Sequence, residues 1–435
     1  MLKKISIYLV GLIPLSLVAG PFIAELVLFM ILLSFLYYLF KEKQFLLINN
    51  NIFKIFLLFW LYIVAISFFS SEQYISIKSS LPYVRFGLYT LAIVYFLRSY
   101  EKSIETIYLL FKLTLLFVIL DSIFQIFFGF DIFGIKTGNA DLMRISGPFG
   151  DKFILGSFIQ KILPVFIYLV LKSYKKNNEI KLLDFIIIIF SFVMIYRSGD
   201  RSAFGLILLY SFIFFLTNHS FRKRMIYIFI SVVLISTIFT FQNPKIFNRH
   251  VVDTIGQFKG KYYENFFNDE VNETKLNFMI FSFHHQTHFS TAFRMFLDKP
   301  IFGHGLKMFR YKCEKFSFKP KKNVENSFGE VKHSYGCSTH PHNTYLQLLA
   351  ESGVIGFFFI FSLFVILFFK IINLFKISKK KIYPENALLI GIFVNLWPLI
   401  PTGNFFNNWI SIIYFVPVAY YVYEKYNKLE IKIDK

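Results

Sequence analysis

Apolar stretches about as long as the hydrocarbon layer of a bilayer recur along this chain, each bounded by short segments rich in lysine and arginine. A run of about 20 such residues reads as a membrane-crossing helix, because a helix satisfies its own backbone hydrogen bonds where no water is present. Candidate spans fall near residues 5–20, 22–40, 52–69, 81–97, 104–129, 153–172, 183–197, 202–218, 225–242, 346–372, 386–401 and 409–424. Composition supports this: of 435 residues, 56% are hydrophobic, 17% are charged and 61 are Phe, which excludes an ordinary soluble domain. The expected fold class is an all-α integral membrane protein with about 12 transmembrane helices.

The formal net charge of +21 does not point to nucleic acid, because the basic residues sit in the segments between apolar runs, where they set orientation. Lys3, Lys4, Lys41, Lys43, Arg98, Lys102, Lys172, Lys175, Lys176, Lys181, Arg222, Lys223, Arg224, Lys376, Lys379, Lys380, Lys381 and the tail lysines share one side. The opposite short loops receive only Lys78, Lys136, Arg144, Lys152, Arg197 and Arg201. Both termini are therefore expected to be cytoplasmic, in a multi-pass membrane protein. The amino terminus mimics a signal peptide, but Pro14 and Pro21 intervene without a clear cleavage site, so it reads as a retained first helix.

The expected division is residues 1–242 with helices 1 to 9, 243–345 as one long periplasmic segment, and 346–435 with helices 10 to 12 and a cytoplasmic tail. A hydrophilic segment of that length reads as a cap folded against the helices rather than an idle connector. Its aromatic and basic mixture, as at Phe266-Phe267, Phe278 to Phe283 and Lys319 to Lys322, suits amphipathic helices at the membrane surface. Both cysteines of the chain, Cys313 and Cys337, fall within it, and a disulfide is the economical reading in an oxidising compartment. Closing a loop of about 25 residues contributes roughly 3 kcal/mol on the chain-entropy estimate.

Arginines at the outer ends of helices are functional candidates by default, since charge near lipid is expensive. Arg197-Ser198-Gly199-Asp200-Arg201 forms a short turn between two spans, Arg144 heads Arg144-Ile145-Ser146-Gly147-Pro148-Phe149, and Arg294 precedes Pro300-Ile301-Phe302-Gly303-His304-Gly305. A planar guanidinium donates paired hydrogen bonds to a diphosphate, and the plain alternative is pairing with Asp200 or Asp298. His340-Pro341-His342-Asn343 stands where the long segment meets the tenth span, followed by Glu351, Gly353 and Gly356. His342 has the chemistry of a general base, Asn343 can hold the ring or a substrate, and the plain alternative is a helix cap. His284-His285-Gln286-Thr287-His288 puts two histidines on one helical face, but no acidic third ligand has a convincing spacing, so no metal is expected. Lys112, Asp121 and Lys161 are charges on apolar faces that either pair inside the bundle or line a path.

These motifs, in this order, resemble the O-antigen ligase and polymerase family. The resemblance implies a GT-C-like inner-membrane glycosyltransferase that needs no metal or cofactor. Such an enzyme takes a glycan from an undecaprenyl diphosphate carrier and joins it, on the periplasmic side, to lipid A-core or to another glycan chain. It assigns Arg201 and Arg294 to the carrier diphosphate and His342 to the acceptor hydroxyl, with Arg144, Arg197, His340, Asn343, Glu351 and Gly353 in support. Displacement at the anomeric carbon is expected to invert its configuration. Ligase is the reading adopted and polymerase the alternative; a flippase or transporter of lipid-linked sugars is the rival of another class, but no internal repeat supports it.

Overall fold

Every apolar stretch singled out above holds a helix in the computed structural model, although that near 386–401 is helical only to Asn395; the structure describes residues 2–100, 102–136, 144–177, 179–258, 281–317, 324–325, 331–332, 336–376 and 383–433. Phe266-Phe267, Phe278, Lys319 to Lys322 and Lys379 to Lys381 lie outside the described residues. The first half comprises α1 (Leu2–Gly11), α2 (Ile13–Ala19), α3 (Pro21–Lys41), α4 (Asn51–Ser67), α5 (Gln73–Ser80), α6 (Val84–Ser99), α7 (Ser103–Phe128) and α8 (Leu155–Asn177). The middle comprises α9 (Leu182–Arg197), α10 (Arg201–Thr217), α11 (Arg222–Gln242), α12 (Pro244–Phe247), α13 (Asp253–Phe258), α14 (Phe283–Asp298) and α15 (Phe309–Phe316). The last elements are α16 (Thr344–Leu374), α17 (Glu385–Asn395) and α18 (Asn408–Ile433). A hairpin pairing Val324–Glu325 with Val331–Lys332 interrupts the helical pattern.

Among the described residues, six helices are long and apolar enough to cross a membrane, and a seventh crossing results if α1 and α2, bent by 59°, act together. The helices α4, α10 and α17 are apolar but shorter. Twelve crossings and a GT-C-like arrangement therefore remain expectations of the sequence. A wide apolar surface is exposed, including Phe22, Phe69, Phe127 and Tyr227. A soluble monomer does not carry so much, and lipid is the medium that makes it stable.

Inside, α6 is buried along most of its length and packs on α18, while α17 fits between α8 and α18. Two of the charges on apolar faces are now accounted for. Lys112 Nζ lies 2.6 Å from Asp184 Oδ1, joining α7 to α9, and Asp121 accepts the Ile132 N–H at 2.8 Å. Lys172 and the Tyr168 hydroxyl both reach Glu424 Oε1, at 2.6 and 2.5 Å, tying α8 to α18. Losing one partner of such a pair leaves an uncompensated buried charge, so these bonds specify the packing even where they add little net stability.

Candidate active site

The site begins at a break in α16. Asn343 caps this helix, its Oδ1 accepting the Tyr345 and Leu346 N–H groups at 3.0 and 3.1 Å, while its Nδ2 donates to the Pro398 carbonyl at 2.8 Å. Ten residues on, Gly353 departs from helical geometry with φ 65° and ψ −171°. The Pro300 to Gly305 segment docks against this break: Val354 N–H donates to Pro300 O at 2.8 Å, His304 N–H to Ala350 O at 3.1 Å and Gly305 N–H to Glu351 O at 2.9 Å. A Cβ on Gly353 would run into the Ile301 carbonyl, and one on Gly303 into the backbone of residues 351–353. The two glycine-bearing motifs are thus halves of one backbone joint, held apart in sequence by the rest of the long segment.

Glu351 is buried beside this joint. Its Oε1 accepts the Phe309 N–H at 3.2 Å and its Oε2 accepts from Gln347 Nε2 at 2.9 Å. Gln347 also donates to Asn404 Oδ1 at 2.8 Å and accepts from Phe405 N–H at 2.9 Å, which ties the α17–α18 connection to α16. Cys313 and Cys337 are bonded, with Cα atoms 5.3 Å apart, and brace α15 against the approach to His340.

His342 adopts φ 58°, a left-handed conformation rare for a residue with a Cβ, and its carbonyl accepts the Thr402 N–H at 2.8 Å. Strain of this kind is retained only where surrounding contacts enforce it. The His342 ring centroid lies 4.0 Å from that of His340, 5.4 Å from His285 and 5.4 Å from His288. Burial pushes the His342 imidazole down to about 4, with repulsion from His288 adding to it. Burial likewise takes His285 to about 4, helped by His342, His288 and Arg201, and His340 to about 3, helped by His342. At neutral pH these three rings are uncharged and able to accept protons. Among the described residues, no group of three or more His, Cys, Asp or Glu is arranged to hold a metal ion.

A second cluster surrounds the turn between α9 and α10. Arg144 Nε donates to Ser198 O at 2.9 Å, and Arg249 Nε to Gly199 O at 2.7 Å. Arg201, the first residue of α10, reaches Thr254 Oγ1 at 3.5 Å. Asp200 caps α10 by accepting the Ala203 N–H at 3.1 Å, and so does not simply neutralise a neighbouring arginine. Burial pushes the Arg144 guanidinium down to about 10, with Arg249 and Arg201 repelling it and Asp200 opposing them. Burial and Arg201 lower Arg249 as well, against Asp253 and Asp200. With its value near 10, Arg144 stays cationic at neutral pH, and the three guanidiniums around this turn make a positive concentration held partly out of water.

The predicted residues therefore divide. His340, His342, Asn343, Glu351 and Gly353 gather at the α16 joint, and Arg144 and Arg201 gather at the α9–α10 turn, whose charge is felt at His285. Arg197 instead points to α11, 6.0 Å from the Phe239 ring centroid. Arg294 is exposed on α14, nine residues and so half a turn from His285, and donates to Phe316 O at 3.3 Å. Sequence reasoning missed Arg249, which stands in no recognisable motif, and weighed His285 and His288 only as metal ligands, although their shared helical face was the usable signal. Residues 186–361, which include both clusters except Arg144, match the family model described as O-antigen ligase. No curated protein matches the chain.

Proposed function

We propose that this chain, whose residues 186–361 match the O-antigen ligase family model, transfers a glycan from an undecaprenyl diphosphate carrier to lipid A-core at the outer face of the inner membrane. Family members are glycosyltransferase-like ligases and polymerases. The observation that carries the reading is a juxtaposition: an arginine turn whose charge reaches His285, and a strained His342 whose ring lies 5.4 Å from His285.

In the proposed step, an imidazole nitrogen of His342 takes the acceptor hydroxyl proton as the acceptor oxygen bonds to the anomeric carbon. The bond from that carbon to the diphosphate oxygen breaks, its electron pair leaves with the carrier diphosphate, and the configuration inverts. Arg201 holds the diphosphate, where fixed positive charge in a poorly hydrated site stabilises the charge that develops on departure. Arg294, given the same role by resemblance, would hold the diphosphate only if α14 or its side chain turned towards the cluster. A ring with a pKa of about 4 is a weak base, but an arriving diphosphate favours the imidazolium and raises its pKa towards the working range.

The test is surface polysaccharide in a deletion strain complemented with wild type or with His342→Ala. Lost core attachment with long carrier-linked chains retained is the expected outcome for a ligase. Single carrier-linked repeat units would make the protein a polymerase, and unchanged product would return the transporter reading to first place.

A further inference from the structure

Residues 396–407 join α17 to α18 outside any helix. In a bundle surrounded by lipid, irregular backbone persists only where protein covers it or where it lines a polar space. Here the start of α16 supplies the cover. The Tyr345 hydroxyl donates to Leu396 O at 2.5 Å, Asn343 Nδ2 to Pro398 O at 2.8 Å and Gln347 Nε2 to Asn404 Oδ1 at 2.8 Å, while Phe405 N–H donates to Gln347 Oε1 at 2.9 Å.

Thr402 lies between these ties and reaches His342 itself. Its N–H donates to His342 O at 2.8 Å, and its hydroxyl is 3.0 Å from that of Thr344. Pro401 fixes φ immediately before Thr402 and keeps Ile400 extended, so the N–H is aimed before any substrate arrives. The same peptide is felt at the neighbouring ring: burial and His342 lower the His340 imidazole, and the Thr402 backbone opposes them.

His342 needs such a hold. A residue with a Cβ at φ 58° gives up conformational free energy of the same order as one backbone hydrogen bond returns. Without the Thr402 bond the ordinary helical and extended conformations compete. A rotation of φ into either would swing the Cβ, and the ring with it, away from His285 and His288, whose centroids lie 5.4 Å from it.

We infer that Thr402 is a positioning residue for transfer, its N–H locking the His342 backbone so that the imidazole keeps its place among His340, His285 and His288. The inference rests on the role of His342 as base proposed above. It adds to the site the α17–α18 connection, which lies outside the residues that match the family model. Proton transfer tolerates little misplacement, so the loss falls on turnover rather than on donor affinity.

The test is reconstituted transfer from an undecaprenyl-diphosphate-linked glycan to lipid A-core by the full chain in nanodiscs. Thr402→Pro removes the N–H and is expected to lower kcat about tenfold or more, the scale of one lost hydrogen bond, with the donor KM little changed. Thr402→Val keeps the N–H and is expected to retain most of the rate. Pro401→Gly loosens the approach without removing the donor, and is expected to lower kcat in the same sense if Thr402→Pro does not fold. In a His342→Ala background, Thr402→Pro is expected to lower the residual rate no further, because the group it positions is gone. An unchanged kcat in folded Thr402→Pro overturns the inference, as does an unchanged kcat in Pro401→Gly where Thr402→Pro fails to fold. So does a loss in Thr402→Val equal to that in Thr402→Pro, a change in KM alone, or a full further loss in the His342→Ala background. Full transfer by His342→Ala itself sinks the reading of His342 as base, whatever Thr402 does.

Discussion

His342 combines a left-handed backbone, a half-buried ring and three imidazole neighbours, and each bears on a measurable property. Removing a positioned proton acceptor typically costs ~10²–10⁴ in rate, so His342→Ala is expected to lose transfer by that factor with membrane insertion intact. Arg201→Ala is expected to lose ~10²–10³, with Lys restoring only part because it lacks the planar fork. Arg294→Ala, on the far side of α14, should lose less than Arg201→Ala; an equal or greater loss in reconstituted transfer assays would show that Arg294 turns into the site. The histidines also make stability depend on pH. Their folded values lie below the ordinary 6.5, so the unfolded chain binds more protons as pH falls, and their contribution to stability drops from about pH 6.5 to about pH 3, where His340 is the last to titrate, and then levels off. Thermal melts across that window should show the fall, and replacing His285 and His340 by Gln should flatten it.

At the scale of elements, the decisive feature is the interrupted helix α16 and the segment docked into it. Gly353→Ala combines a positive φ with a Cβ directed at the Ile301 carbonyl, and is expected to destabilise the joint by about 2 kcal/mol or more. Faster limited proteolysis between residues 243 and 343 would report it, whereas an unaltered digest would mean the joint tolerates a side chain. Asn343 separates two functions within one side chain. Asn343→Asp keeps the acceptor that caps Tyr345 and Leu346 but loses the donor to Pro398 O, while Asn343→Ala loses both, including a cap worth about 1 kcal/mol. The melting temperature should therefore fall further for Ala than for Asp.

For the whole molecule, the two clusters come from distant parts of the chain: the α9–α10 turn, the Arg249 segment, α14 and the start of α16. Their relative placement depends on α14 lying against α16 and on the disulfide that joins α15 to the run before His340. Cys313→Ser is expected to destabilise this region by about 3 kcal/mol. The effect should appear as lower transfer activity on warming while the membrane helices stay protected. Equal thermal sensitivity of mutant and wild type would mean that the helical packing alone holds the site.

The length of apolar runs was enough to locate the helices of the bundle, though not the short α5, α12, α13 and α15, because an apolar run in lipid has little choice but to satisfy its own backbone. It also pointed to the His342 motif, the arginine turn and the paired cysteines, since charged and titratable groups beside apolar runs stand out by their expense. The number of crossings did not follow in the same way, because α4, α10 and α17 are too short to be judged by length alone. Nor could sequence show that Pro300 to Gly305 fills the break at Gly353, that Arg249 joins Arg144 and Arg201, or that His285 and His288 face His342. Those meetings depend on long-range packing and on backbone conformations at single residues, which leave no periodic trace in the chain.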